Sequence, residues 1–590
     1  MLAQQLFRRT RKSLLRTNNA ADLTANVVRA ARITNYRLLS SILLAIFIIG
    51  LTMFSAIRRG MDHAVMIGPG DQTAIAISLS DSIYHINLGY VGLKNVFDTI
   101  QSYWNRDASG WANLEKLKAN FHDAEVLNAG IRAAASLGPQ TPGYIGNGNL
   151  ITTYYDDMGE VDYVTLAFLI FGMKIQSLFY LYFTLLGLSA LIFILTFQDR
   201  IFAVCLLLTT LFAYYVELYL MFFEPVAIST YWGMRHSSTL CLVPMLYLAF
   251  LMLWRRKLSL AVGAGAVVQL AILILAWRIR GSVTWVLLFL PLVAITLALR
   301  ELWPRSGEPR PGSRAAVRHR IASFGHSVMI VARSWRMLVR RTLCWPLVLL
   351  LFGLLANNLY NRATLHPIYH ADDVMPYHGL WHSVHLGLGL YAPDVLSPRV
   401  SNVLKTQGMS DGFTAWVARD YLDQIHLIPW NGKPEYSPPA AGWLSPWPGL
   451  GLKAAWHDRT LRDAYFDKLG TQPLQILRLY ASMPPEALRI LASPFTQAPT
   501  LAWLWLIAAA GAGVFIILLG LGRSTDMRDG VKILSVSAAA IATATLPNMI
   551  SYAAAYTMSD SILMIMAFMA AAIGVVLYAT FRYRQRRIRE

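Results

Sequence analysis

Residues 38–57 read LLSSILLAIFIIGLTMFSAI, twenty consecutive positions without a charged side chain. A helix of that length rises about 30 Å, the thickness of a bilayer's hydrocarbon core. Met1–Arg37, directly before it, carries eight basic residues and one acid. That polar, basic lead is not a cleavable signal peptide and reads as a cytoplasmic N-terminus. Apolar runs of similar length recur along the 590 residues, of which 55% are hydrophobic and only 14% charged. The fold class expected from this pattern is an all-α polytopic membrane protein.

Taken outward from the first run, the sequence predicts about ten transmembrane helices, with both termini inside. TM1 is 38–57, and 58–163 is a first extracytoplasmic loop. TM2 to TM6 occupy 164–299: a second span near Gln176–Phe197, a tight turn at Gln198-Asp199-Arg200, a third over Ile201–Phe223, a fourth closed by Arg255-Arg256-Lys257, and two more near 259–277 and 282–299. Residues 161–172 (VDYVTLAFLIFG) read as an interfacial or re-entrant helix entering the second span. A basic linker covers 300–342, and TM7 covers 343–356 with its apolar part at Leu343–Leu355. Residues 357–499 form a large extracytoplasmic region rich in His and aromatic residues. TM8 to TM10 fill 500–581, and 582–590 is a cytoplasmic tail. The two large loop regions are expected to mix helix and coil.

The net charge of +19 is distributed unevenly along the chain. Segments assigned to the cytoplasm hold 30 Lys+Arg against 7 Asp+Glu, whereas the remainder holds 22 against 26. The excess is therefore the positive-inside signal of a membrane protein, and no nucleic-acid partner is implied. The three cysteines, Cys205, Cys241 and Cys344, lie in or at the end of apolar runs, so the outer loops have no disulfides to staple them. The absence of Asn-x-Ser/Thr sequons and the excess of Arg over Lys lean toward a bacterial inner membrane.

Four constellations carry chemical content. In SLSDSIYHINLG (78–89), Asp81, Tyr84 and His85 would share one face of a helix, and a carboxylate beside an imidazole suits a general base or a cation site. The same residues also read as a capped helix start with packing side chains. In TTYYDDMGEVDY (152–163), Asp156, Asp157, Glu160 and Asp162 form an acidic knot that could hold a divalent cation on a pyrophosphate, or simply a turn. In YWGMRH (231–236), Arg235 and His236 suit a phosphate headgroup, although Arg235 also reads as a snorkelling anchor. The fourth is LHPIYHADDVMPYHGLWHSVHLGLGLY (365–391), with five of the 13 histidines. There His378, His382 and His385 are spaced for one helical face, which admits a ligand-binding wall, a metal half-site or a structural core.

The long first outer loop with an early acid and tyrosine, and the large outer segment after the seventh span, resemble the layout of GT-C glycosyltransferases. Asp81-Ser-Ile-Tyr84-His85 is similar to the acidic motif of their first loop, and residues 154–172 are similar to the segment leading many of them into the second span. The acid lies some two dozen residues beyond the first span, further than is usual, and the His-rich loop has no counterpart. The resemblance implies transfer of a sugar from a polyprenyl-phosphate-linked donor to a lipid, glycan or protein acceptor at the outer face of the membrane. Asp81, or in its place Asp156 or Asp157, would be the base. Tyr84, His85, Arg235, His236, His378, His382 and His385 would line the substrate. No cofactor is required on this reading, although a divalent cation is open. A metal-dependent extracytoplasmic hydrolase or lipid-modifying enzyme, and a non-enzymatic lipid or polysaccharide carrier or assembly protein, are the alternatives.

Overall fold

The computed structural model describes residues 20–62, 125, 158–172, 176–220, 238–254, 258–279, 284–302, 345–364, 380–391, 393–407, 413–432, 454–497, 527–550 and 559–589. Every regular element among them is helical. Nine helices build a bundle: α1 (Ala20–Asp62), α2 (Met158–Phe171), α3 (Gln176–Phe197), α4 (Ile201–Leu220), α5 (Ser238–Leu253), α6 (Leu260–Ile279), α7 (Thr284–Leu302), α8 (Trp345–Thr364) and α14 (Met527–Ile550); a tenth, α15 (Ser559–Arg589), closes it. Between α8 and α14 the chain forms a second, smaller unit from α9 (Leu380–Tyr391), a 3₁₀ turn at Pro393–Val395, α10 (Pro398–Gln407), α11 (Phe413–Gln424), α12 (Ala454–Thr471) and α13 (Pro473–Gln497).

Tyr36–Ile57, Gln176–Phe197, Leu260–Ile279 and Leu563–Phe581 are long and apolar enough to cross a membrane, and shorter apolar helices lie at Ile201–Val216, Leu240–Leu253, Thr284–Leu297 and Trp345–Tyr360. Their outward faces are as apolar as their inward ones. Ile46, Phe47 and Phe54 on α1 are 61–65% exposed, a surface that water would not tolerate over such a length but lipid would. These features give the chain the character of a membrane protein.

Inside the bundle, packing is aromatic and tight. Phe193 and Phe197 of α3 meet Tyr247 and Phe250 of α5 with ring centroids 5.4–6.2 Å apart. Ser189 on α3 and Gln269 on α6 exchange two hydrogen bonds: the Ser189 hydroxyl donates to Gln269 Oε1 at 2.6 Å, and Gln269 Nε2 donates to the Ser189 carbonyl at 2.7 Å. Such reciprocal pairs fix helix register where the surroundings offer no water. At the end of α5, Trp254 Nε1 and Arg200 Nη1 both donate to Asp529 at the start of α14, at 3.2 and 2.6 Å.

Helix α8 runs to Thr364, nine residues beyond the apolar run that ends at Leu355. Arg278 of α6 holds Asn357 and Tyr360 in the polar last turns of α8, as described below. The smaller unit buries Val384, Leu388, Val400, Phe413, Val417, Leu461, Ile476, Leu479 and Met483 in a core of its own, and α13 also packs on α14. Helix α11 ends where His426 takes φ of 57°, and the Leu427 N–H returns to the Leu422 carbonyl at 2.9 Å. The following turn folds back because the Trp430 N–H bonds Asp423 at 2.8 Å and Arg419 Nη2 donates to the Pro429 carbonyl. The Trp430 N–H, with Arg399 beside it, holds the Asp423 carboxyl below the usual carboxylate range.

Candidate functional site

Two polar assemblies contain residues from the sequence motifs. The first lies where α2, α6 and α8 meet. Gly159 on the first turn of α2 approaches the end of α6 so closely that an added Cβ would sit 2.3 Å from Arg278 Cβ and 2.5 Å from its carbonyl carbon. One turn later Asp162 forms an ion pair with Arg278. The same guanidinium donates to Asn357 Oδ1 at 2.9 Å and stacks 5.0 Å from the Tyr360 ring, tying α8 into the junction. Both charges are largely buried, with side chains 10% and 13% exposed. Asp162 is thus one member of the acidic knot engaged by a cation of the chain itself. Asp156 and Asp157 lie outside the described residues, and Asp157 directly precedes α2 in sequence.

The second assembly is in the smaller unit. His382 and His385 lie on α9 and are 1% and 0% exposed. The apolar sequence around them, Val384 to Leu388, draws this face of α9 against α11 and α12. The Thr414 hydroxyl sits 2.9 Å from His382 Nδ1 and 3.4 Å from His457 Nε2, linking three helices through one side chain. His385 Nε2 lies 2.8 Å from the Leu461 carbonyl, which can only accept, so Nε2 carries the proton. Its Nδ1 is buried and has no hydrogen-bond partner among the described residues. Burial lowers the His385 pKa to about 4, with Lys468 and His457 adding to the effect and the Leu461 carbonyl opposing it. This imidazole is therefore neutral at physiological pH.

Asp458 on α12 lies against the backbone N–H groups of Trp381 and His382, so it caps the start of α9 from a different helix. Burial raises its carboxyl above the ordinary range, against those N–H groups and Arg462.

The two histidines thus face the interior of the unit, held by groups of the protein. Among the described residues no set of three or more His, Cys, Asp or Glu side chains is placed to hold a metal ion. His378 lies outside the described residues, as do Asp81, Tyr84, His85, Arg235 and His236. Thr414 and His457, which sequence reasoning had not singled out, complete the cluster. The one local signal was His457-Asp458 on a helix rich in charge, and nothing in its spacing points to α9, 75 residues earlier. A small depression of mixed character lies between α10, α11 and α12, with Ser397, Asp420 and Lys468 beside Leu396, Val400 and Val417. Lys468 spans it, donating to the Val395 carbonyl at 3.2 Å.

Models of known protein families, curated proteins and solved structures were all compared with this chain, and none matches it.

Proposed function

We propose that this chain is a ten-span membrane glycosyltransferase of the bacterial inner membrane, with both termini in the cytoplasm. It transfers a sugar from a polyprenyl-phosphate-linked donor to a lipid, glycan or protein acceptor at the outer face. The observation that carries the reading is the double anchoring of α2. The helix that immediately follows Asp156-Asp157 is fixed to the rim of the bundle by the Gly159 close approach and by the Asp162–Arg278 pair. A carboxylate base at the membrane edge needs such a foundation, because proton abstraction depends on placement within hydrogen-bond reach.

The arrangement of polar contacts supports the topology. Asp162, Arg278 and Asn357, all assigned to the outer side, meet at the C-terminal end of α6. Arg200 and Trp254, at the inner ends of the second and fourth spans in the expected topology, meet Asp529 and Lys532, which the same topology places in an inner loop between the eighth and ninth spans. The experiment is native mass spectrometry of the protein released from mild detergent, paired with transfer assays on any polyprenyl-phosphate species found. Asp81→Asn, Asp156→Asn and Asp157→Asn are then assayed singly. Loss of about 10²-fold or more in one variant, with the lipid still bound, supports the reading. A protein that carries no such lipid, or that keeps full transfer in all three variants, overturns it.

A further inference from the structure

Helix α13 (Pro473–Gln497) has two apolar faces, and only one is used by the smaller unit. Ile476, Leu479 and Met483 turn inward and are 1–4% exposed. On the opposite side Leu474, Leu477 and Leu488 are 61–68% exposed. Leu477 and Leu488 are separated by about three helical turns and fall on one stripe, with Leu474 and the exposed Ala481 between or beside them. Arg478 and Arg489 follow Leu477 and Leu488 directly, so the two arginines repeat at the same spacing and form a basic row along one edge of the stripe. Both are exposed.

Four features say what covers this face. Helix α13 packs against α14 and α15, two helices of the bundle. Three residues separate its last residue, Gln497, from the apolar run Leu501–Leu521, which the sequence predicts as a span. The row of arginines beside a row of leucines is the pattern of a helix lying in the plane of a bilayer surface, with cations at the phosphates and leucines below them. Beside α13, Trp381, Tyr465 and Phe466 pack with ring centroids 5.3–5.8 Å apart, and the Tyr465 hydroxyl bonds that of Tyr480 on α13 at 2.9 Å. Aromatic groups of this kind gather at the headgroup level.

We infer that α13 is an interfacial helix: its Leu474–Leu477–Leu488 stripe is seated in the headgroup–acyl boundary of the bilayer that holds the bundle, with Arg478 and Arg489 against lipid phosphates. The helix thereby sets the height and tilt of the smaller unit above the membrane. This inference does not depend on the transferase reading, and its test involves no turnover.

The test uses the full chain in nanodiscs of phosphatidylcholine and phosphatidylglycerol at three to one. Cys205 and Cys241 are buried, so replacing Cys344 with Ser leaves a background for site-directed labelling. Nitroxides are placed by Leu477→Cys, Leu488→Cys and, as an exposed control on the polar side of the same helix, Ser482→Cys. Collision with oxygen, which concentrates in lipid, is compared with collision with a water-soluble nickel chelate. The expected oxygen-to-nickel ratio at the two leucine positions is about tenfold above that at Ser482. Equal ratios at all three would overturn the proposal in favour of a water-facing stripe. Immobilised labels shielded from both reagents would also overturn it, since the stripe would then be covered by protein; dilution with unlabelled chain would tell a second copy from another segment of the same chain. If either leucine variant fails to run as a single species, Ala481→Cys on the same stripe takes its place and is read by the same criteria.

Discussion

Acidification should loosen the smaller helical unit through His385. The imidazole is fully buried, its Nε2–H is committed to the Leu461 carbonyl, and its Nδ1 meets no acceptor among the described residues. A proton on Nδ1 would add a charge and an unsatisfied donor to an apolar core. The folded pKa of about 4 lies below the ordinary 6.5, so the unfolded unit binds more protons in between. Stability from this group is therefore complete above pH 6.5 and is lost as the pH falls toward 4. At pH 5 the loss is about 2 kcal/mol, or roughly thirtyfold in the opening equilibrium. Asp458 acts in the opposite sense, because its raised pKa makes the folded unit bind a proton more readily, a contribution that disappears as pH rises through its folded value. The assay is hydrogen exchange read by mass spectrometry on peptides covering 380–391 and 454–471, in nanodiscs at pH 7.5 and pH 5.0, after correction for intrinsic rates. Protection in the wild type should fall about thirtyfold at pH 5.0. His385→Gln keeps a side-chain N–H for Leu461 but cannot titrate, so its protection should be flat or rise slightly on acidification as Asp458 is uncovered. Equal protection of the wild type at both pH values would refute the reasoning. So would an undiminished acid response in His385→Gln, which would shift the effect to His382 or His457.

The bundle makes three further predictions. Gly159→Ala places a methyl against backbone atoms of Arg278 and Ile279, which have no rotamer to escape into, so thermal unfolding in detergent should show a loss of at least about 1–3 kcal/mol. Arg278→Ala leaves Asp162 buried without its cation and should cost about 3–5 kcal/mol, whereas Asp162→Asn with Arg278→Gln should cost much less; equal losses from both changes would argue against a buried pair. Gln269→Leu removes both bonds to Ser189 and should weaken the bundle by about 0.6–1.7 kcal/mol, readable as an earlier onset of thermal unfolding.

What the sequence made legible follows from what is local. The apolar run at Gln176–Phe197 coincides with α3, and the Gln198-Asp199-Arg200 turn falls between α3 and α4, because a change from lipid-compatible to charged residues is written in consecutive positions. The helix entering the second span was legible from 161–172 for the same reason, and it ends at Gly172, whose φ of 86° suits glycine alone. The extension of α8 to Thr364 was not, since Asn357 and Tyr360 remain helical by meeting Arg278, 79 residues away from Asn357. His382 and His385 show the limit most clearly. Their spacing gave them one face of a helix but said nothing about what that face would meet. Whether such a face becomes a binding wall or a core is decided by Thr414, His457 and Leu461 on other helices, which no window of local sequence contains.

The Asp162–Arg278 junction fixes more than the stability of α2. Burying an ion pair is a poor way to gain stability, because desolvating two charges cancels most of their attraction. An apolar pair of similar volume would hold α2 to α6 at least as firmly. What the ion pair adds is direction: a guanidinium that already bonds Asn357 and stacks on Tyr360 accepts a carboxylate from a narrow range of positions. One turn earlier, Gly159 admits the α6 backbone at a distance that no other residue allows. Two constraints of different physical kind, one electrostatic and one steric, thus fix rotation and translation of the same short helix. Overdetermined placement of this sort is what the proposed role of Asp156 or Asp157 as the base would ask of the helix that follows them in sequence. On the proposed reading, Asp162→Asn should therefore lower transfer even where the protein still folds, whereas a helix that serves only as a connection into the second span would show a change in stability alone.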